Sequence, residues 1–254
     1  MLIINDKICN RDIINLDEGY FSGKGLFETI YVKNKPVFLE EHLNRLNNGL
    51  SRLNIKKNIS KEYFLDVLRI MRCKNCAIKL MVSDDNIIFV DRKISYTREN
   101  YEKGFSIVVS NIKRNPFSHM TYLKSFNFYD NIIERESAIN RGYDEVLFLN
   151  TEGYVSEGSI SNIFYIKDSV IYTPDLKCGL LNGVVRSFII NNYKKHMIYE
   201  TRFDLGTLLK ADGVFITNSI MGIMKVSKIN NKVIGSCKQF EDITTFYNDY
   251  LKRF

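Results

Sequence analysis

The chain has 254 residues, 45% of them hydrophobic and 13% aromatic, and a net charge of +7, enough apolar material for one large domain or two of roughly 100 to 150 residues each. No stretch approaches ~20 consecutive apolar residues, which excludes a transmembrane helix; MLIINDKICNRD turns polar after four apolar residues, unlike a secretory leader, so a soluble, cytoplasmic protein is expected. The lysines are spread along the chain and form no basic stripe, which argues against nucleic acid and for a surface that attracts anionic metabolites.

MLII reads as a strand. Glycines 19, 23 and 25 precede a β-rich run from Leu26 to Val32, and Asn34-Lys35-Pro36 turns into a second short strand, Val37 to Leu39. From Glu40, Leu43, Leu46, Leu50 and Leu53 recur at helical spacing, placing His42 and Arg45 about one turn apart on one helix. On periodicity alone, Arg45 is a solvated helix charge. Lys61 to Met71 is a second amphipathic helix, and CAIKLMVS, NIIFVDRKIS and FSIVVSNIK follow as strands. That mixed order indicates an α+β unit rather than regular βαβ repeats. Residues 111 to 122, with Pro116, read as a connector, giving an N-terminal α+β domain over 1–112 and a larger C-terminal domain over 113–254.

In the second half Asn131 to Asn140 is helical, and EVLFLN, SNIFYIK and SVIYTP are strands separated by turns at Asn150–Gly153 and Lys167–Ser169. Gly183 opens the helix VVRSFIINNY. A short helix then precedes a strand ending at Thr217, and Lys238 to Phe254 closes the chain as a helix. The five cysteines, Cys9, Cys73, Cys76, Cys178 and Cys237, are odd in number and scattered, which fits a reducing compartment better than a disulfide framework. Cys73-Lys-Asn-Cys76 has the CxxC form without a second pair or a nearby histidine, so it is expected to be structural or incidental, with redox or metal chemistry the alternative that its spacing allows.

Four places carry possible chemistry. Lys124, among Tyr122, Leu123, Phe126 and Phe128, would lose solvation if that face were buried, favouring the neutral amine that forms Schiff bases with carbonyls. Composition alone favours a lysine that snorkels to the surface. Glu157 is either a surface carboxylate in a Ser-Gly turn or a group that keeps a pyridine nitrogen protonated. Gly183-Val184-Val185 at a helix start, and Thr217-Asn218-Ser219 after a strand, would each offer backbone N–H groups to a phosphate.

In chain order, GKGLFETI, EEHLNRL, YLKSFNF, YVSEGSISNIF, TPDLKCGLLNGVVR and TNSIMGIMKV resemble the class IV pyridoxal-phosphate enzymes of fold type IV. That family includes branched-chain aminotransferases, D-amino acid aminotransferases and 4-amino-4-deoxychorismate lyases, and the resemblance covers nearly the whole chain. It implies a mixed α+β and α/β, two-domain, D-amino acid aminotransferase-like fold with pyridoxal phosphate as cofactor. The C-terminal domain would carry the Schiff-base lysine and most of the cofactor site. It further implies a homodimer acting on a small amino substrate, with no metal and no nucleic-acid or membrane partner. Lys124 is similar to the Schiff-base lysine, Glu157 to the partner of the pyridine nitrogen and Arg45 to the phosphate-binding arginine. Val184 and Val185 match the backbone amides at the phosphate, and Asn218 and Ser219 the second phosphate loop.

Within the family, Lys124-Ser-Phe-Asn127 and the TNxxM pattern from Thr217 to Met221 resemble the lyases. Lys225 stands where the family generally has proline. The segment after Val82 is only Ser83-Asp84-Asp85-Asn86, where relatives have a longer loop with arginine and glycine. Arg92 or Arg98 would be the substitutes for that arginine, although a surface role suits each. The resemblance thus implies a lyase converting 4-amino-4-deoxychorismate to 4-aminobenzoate and pyruvate. The alternative is an aminotransferase on D-amino or branched-chain amino acids, and a more distant one is a non-catalytic basic binding protein.

Overall fold

Residues 1 to 95 build one antiparallel sheet with two long helices against it. In the computed structural model, which describes residues 1–9 and 13–254, the strands are β1 (Leu2–Ile4), β2 (Lys7–Ile8), β3 (Gly25–Val32), β4 (Cys76–Ser83) and β5 (Ile87–Arg92), in the order β2-β1-β5-β4-β3. A short helix, α1 (Glu18–Phe21), precedes β3, and α2 (Leu39–Arg52) and α3 (Lys61–Met71) follow it. Leu39, Leu43, Leu46 and Leu50 on α2 and Phe64, Val67 and Met71 on α3 bury against Leu26, Ile30, Ile78, Leu80 and Val82. This is the alternation of β3 and β4 meeting the helical stripe.

Ser60 caps α3 by accepting the Tyr63 N–H at 3.1 Å. The strand expected from Val37 to Leu39 is not formed. Pro36 makes an isolated bridge to Val32, and Phe38, at φ 55°, turns the chain straight into α2.

The second sheet is assembled from α4 (Arg98–Lys103), β6 (Phe105–Arg114), α5 (Tyr129–Asn140), β7 (Glu145–Asn150), β8 (Val155–Gly158), β9 (Asn162–Lys167), β10 (Val170–Pro174), α6 (Val184–Asn192), β11 (Ile198–Thr201), α7 (Leu205–Leu208), β12 (Gly213–Asn218), β13 (Gly222–Ile229), β14 (Lys232–Val233) and α8 (Lys238–Leu251). Its strand order is β11-β10-β9-β12-β13-β6-β7-β8, with β14 beside β13. The β6–β7, β6–β13 and β10–β11 pairs are parallel and the rest antiparallel. EVLFLN is buried throughout as β7, because Val146 and Phe148 pack with Ala138 of α5 while Leu147 and Leu149 enter the core on the other face.

Asn111 to Arg114, read above as the start of a connector, continue β6 past an irregularity after Val109, so that Arg114 pairs with Asn150. The compact units are Met1–Ser95 with Leu123–Phe128 and Phe254, and Tyr96–Tyr122 with Tyr129–Arg253. The Lys124 segment, expected with the C-terminal domain, therefore falls in the first unit, because its backbone bonds to β3. Cys73 and Cys76, expected without a disulfide, are joined as one across the turn from α3 to β4, with Cα atoms 6.2 Å apart, while Cys9, Cys178 and Cys237 are free thiols. No helix among the described residues is long and apolar enough to cross a membrane.

Candidate active site

In the first unit the Lys124 backbone is a rung beside β3. Its carbonyl accepts the Phe27 N–H at 2.8 Å, Phe126 donates to the Gly25 carbonyl at 2.9 Å, and Ser125 bridges Leu26. Gly25 permits this approach, since a Cβ there would enter the Phe126 ring. Gly23, at φ 73°, turns the chain so that Asn127 Nδ2 donates to its carbonyl at 3.1 Å. The Lys124 ammonium lies 4.4 Å from the centre of the Phe27 ring and 5.6 Å from that of Phe128, which is cation–π geometry. Composition favoured a snorkelling surface lysine; the two rings instead hold this one partly buried.

Arg45 is not a solvated helix charge either. Its Nε and Nη2 donate to the two oxygens of Glu28, each at 2.7 Å, a bidentate pair of the strong kind. Glu28 projects from β3 toward α2 and is fully buried; His42 Nδ1 lies 2.7 Å from the same carboxylate. Burial alone would raise the Glu28 pKa, but the Arg45 charge and the hydrogen bonds from Arg45 and His42 outweigh it and hold the carboxyl well below the usual range. Burial dominates for His42 and pushes it below the ordinary imidazole value. The neutral ring then donates through Nδ1, while Nε2 has no hydrogen-bond partner among the described residues. Glu28 escaped the sequence reading because its partners lie 14 and 17 positions away. The available signal was a carboxylate inside an otherwise apolar strand.

In the second unit Glu157 sits within β8, 8% exposed. Arg114 Nε stands 3.3 Å from its Oε1, and the Leu181 N–H donates to Oε2 at 3.0 Å. The Arg114 guanidinium is itself stacked 3.9 Å from the Phe148 ring centre. Sequence reasoning passed over Arg114 because it was placed in a connector. The loop after Glu157 folds onto the buried Glu145, which accepts from the Ser159 backbone at 3.2 Å, from the Ser159 hydroxyl and from the Ser161 hydroxyl at 3.0 Å.

Gly183 caps α6 with extended backbone and without a side-chain hydrogen bond, so the first-turn amides at Val184 and Val185 have no side-chain cap. Asn162 of β9 donates to the Leu181 carbonyl at 2.8 Å, and its Oδ1 fills the space that a Cβ at Gly183 would need. Across the sheet Asn162 pairs with Thr217. Glu157, the start of α6 and the Asn218–Ser219 loop therefore meet at one end of the second sheet. Asn218 closes its own loop, Oδ1 accepting from the Ile220 and Met221 N–H groups at 2.9 and 2.8 Å. The Tyr101 hydroxyl also donates to the Met221 carbonyl at 2.7 Å. Arg45 and Lys124 belong to the first unit; Glu157, Val184, Val185, Asn218 and Ser219 belong to the second.

The short β4–β5 turn is tied down by Asp17, which accepts from the Ser83 hydroxyl at 2.6 Å, the Asp85 N–H at 2.8 Å and Asn86 Nδ2 at 3.1 Å. Of the two substitutes considered for the missing arginine, Arg98 pairs with Glu102 on an exposed helix, and Arg92 ends β5.

The sequence profile of the amino-transferase class IV family matches residues 25–229. The chain belongs to this family. The aminodeoxychorismate lyase of Bacillus subtilis (strain 168) is 32% identical over 241 residues, covering 87% of this chain and 82% of its own. The D-alanine aminotransferase of Bacillus licheniformis is 26% identical over 246 residues, covering 87% and 84%. The crystal structure of 4-amino-4-deoxychorismate lyase from Pseudomonas aeruginosa shares the fold, with a TM-score of 0.89, 22% identity and coverage of 99% of both chains. Class IV aminotransferases depend on pyridoxal phosphate, and this chain is such an enzyme with the fold type IV architecture.

The residues present fit that group. It needs an amine for its aldehyde, an acceptor for its ring N–H and N–H groups for its phosphate. The chain supplies a ring-flanked lysine, a carboxylate fixed by arginine, and a helix start without a side-chain cap. Near that helix start, Thr217 Oγ1 is buried without a hydrogen-bond partner among the described residues.

Proposed function

We propose that this class IV enzyme is a cytosolic, homodimeric lyase that converts 4-amino-4-deoxychorismate to 4-aminobenzoate and pyruvate. The observation that carries the reading is the 32% identity, over most of both chains, to the Bacillus subtilis aminodeoxychorismate lyase. The Asp17-fastened turn from Ser83 to Asn86 supports it, because it leaves no arginine-bearing loop of the kind that serves the D-amino acid aminotransferases.

In this reading Lys124 anchors the cofactor and, once the substrate amine replaces it there, takes the proton from the amine-bearing ring carbon. Bound pyridoxal phosphate supplies a sink for the electron pair of that C–H bond. Glu157, paired with Arg114, accepts the hydrogen bond of the protonated ring nitrogen. Arg45, the Val184 and Val185 amides and the Asn218–Ser219 loop hold the phosphate. The electron pair moves into the substrate ring, the bond to the enolpyruvyl oxygen breaks, and that fragment takes up a proton at its methylene carbon to leave as pyruvate. No co-reactant is consumed, and aromatisation of the ring drives the step.

The second reading is an aminotransferase, favoured by the 26% identity to the Bacillus licheniformis D-alanine enzyme. Purified enzyme given 4-amino-4-deoxychorismate and no keto acid should release 4-aminobenzoate and pyruvate in equal amounts. Release only when a keto acid is supplied, or none at high enzyme concentration, rejects the lyase. Light scattering at twice the chain mass checks the homodimer.

A further inference from the structure

Arg186 is the third residue of α6 and is 2% exposed. A cation in the first turn of a helix opposes the helix dipole, and burying it costs solvation. The turn has no acidic residue and no side-chain cap to offset that charge. The one ionic partner of Arg186 among the described residues, Glu200, stands on the edge strand β11 with its side chain 41% exposed. A well-packed apolar residue often serves stability as well as such a pair or better, so stability alone is a poor reason for this arginine.

The guanidinium joins three segments. Its Nη2 donates to the Pro174 carbonyl at the end of β10 at 2.8 Å and to Glu200 Oε2 at 2.6 Å, while Nη1 donates to Asn182 Oδ1 at 3.1 Å. The same Asn182 oxygen accepts from the Ser187 hydroxyl at 2.9 Å. On the other side of Asn182, Leu181 is held at both backbone groups, its N–H by Glu157 and its carbonyl by Asn162. Residues 181 to 183 therefore run from the Glu157 carboxylate to the Val184 and Val185 amides, and a planar fork fixed to β10 and β11 pins their middle. Three partners at once suit the fork of arginine and not a single ammonium.

We propose that Arg186 is the positioning residue that holds the start of α6 in the shape that takes the cofactor's phosphate. It acts through Asn182 and the backbone of residues 181 to 183. The inference rests on the reading of the Val184 and Val185 amides as phosphate ligands.

Two titrations of the apoenzyme test it, read by the visible absorbance of the cofactor at Lys124. One uses pyridoxal phosphate and the other pyridoxal, the same aldehyde without the phosphate. Arg186→Met should weaken pyridoxal phosphate about tenfold and leave pyridoxal within about twofold of wild type, because only the first ligand uses the helix start, and Glu157 keeps its own anchor in Arg114. Arg186→Lys, which keeps the charge without the fork, should stay at least about fivefold weaker than wild type for the phosphate ester. Asn182→Ala leaves Arg186 on Pro174 and Glu200 and should show the same selective loss, which keeps the test open if Arg186→Met does not fold. Equal loss of both ligands, no loss in Arg186→Met or Asn182→Ala, or full recovery in Arg186→Lys overturns the positioning role. Wild type that binds pyridoxal as tightly as pyridoxal phosphate overturns instead the phosphate reading on which it rests.

Discussion

Arg114 reaches Glu157 from β6 while lying flat on Phe148, so one guanidinium joins a carboxylate of β8 to an aromatic ring of β7. Both charged side chains are largely shielded, at 14% and 11% exposed. Removing one partner therefore leaves the other charge in a poor environment. Arg114→Met should cost about 3 kcal/mol of stability, the usual penalty for breaking a buried pair. The double variant Arg114→Met/Glu157→Gln should recover part of that loss. Urea denaturation followed by circular dichroism measures both, and equal losses in single and double variants would reject the coupling.

Glu28 should act as the support of Arg45. At pH 7, Glu28→Gln leaves the arginine without its bidentate partner, and a loss of about 3 kcal/mol is expected. Because the Glu28 pKa is lowered on folding, its contribution is present above the unfolded value and disappears as pH falls toward the folded one. The gap between wild type and Glu28→Gln should thus narrow below about pH 4. A gap independent of pH would show that packing, not charge, is lost.

His42 has the same sign for the opposite chemical reason. Folding lowers its pKa through burial, so the unfolded chain takes up a proton first as pH falls through about 6.5. Stability should then decline by up to about 1.4 kcal/mol per pH unit from this one group. His42→Gln removes that proton uptake, and stability curves of the two proteins between pH 7 and 5 should converge. Parallel curves would assign the acid sensitivity elsewhere.

Asn162 touches the loop that leads into α6 and pairs across the sheet with Thr217, just before the second loop expected at the phosphate. Its amide holds the Leu181 carbonyl, and its oxygen fills the space beside Gly183. Asn162→Ala loses one hydrogen bond worth about 1 kcal/mol, and Gly183→Ala inserts a methyl against that oxygen. Either change should weaken pyridoxal phosphate binding to the apoenzyme by about tenfold, read by visible absorbance on titration. Undiminished affinity in both would remove this loop from the cofactor site.

Much of the fold was legible because its periodicities are strong. The helix expected from Lys61 to Met71 and the strands CAIKLMVS and EVLFLN stand where the pattern put them. β8, β11, β13 and β14 were not read as strands: two are four residues long, one has two, and Gly222–Ile229 alternates poorly, with Lys225 and Lys228 inside it. The positions of Lys124 and Glu157 could be singled out from local chemistry, but their environments could not. Arg45 looks solvated until Glu28 faces it, and Arg114 looks like a connector residue until β6 extends past Val109. Such partners are set by strand register rather than by spacing along the chain.

The rung that Lys124, Ser125 and Phe126 add to β3 has a further consequence. β3 is the last strand of its sheet, and an uncovered edge of that kind invites pairing with another molecule. The segment bearing Lys124 covers the Gly25–Phe27 end of this edge, and it reaches the strand from beyond Tyr122 in sequence. The first unit is thus a discontinuous piece of the chain, and residues 1 to 95 expressed alone would leave the Gly25–Phe27 end of β3 without these bonds. During synthesis that end of the strand stays unpaired until the chain has grown past Phe128, so an uncovered edge of the kind that invites intermolecular pairing persists until then.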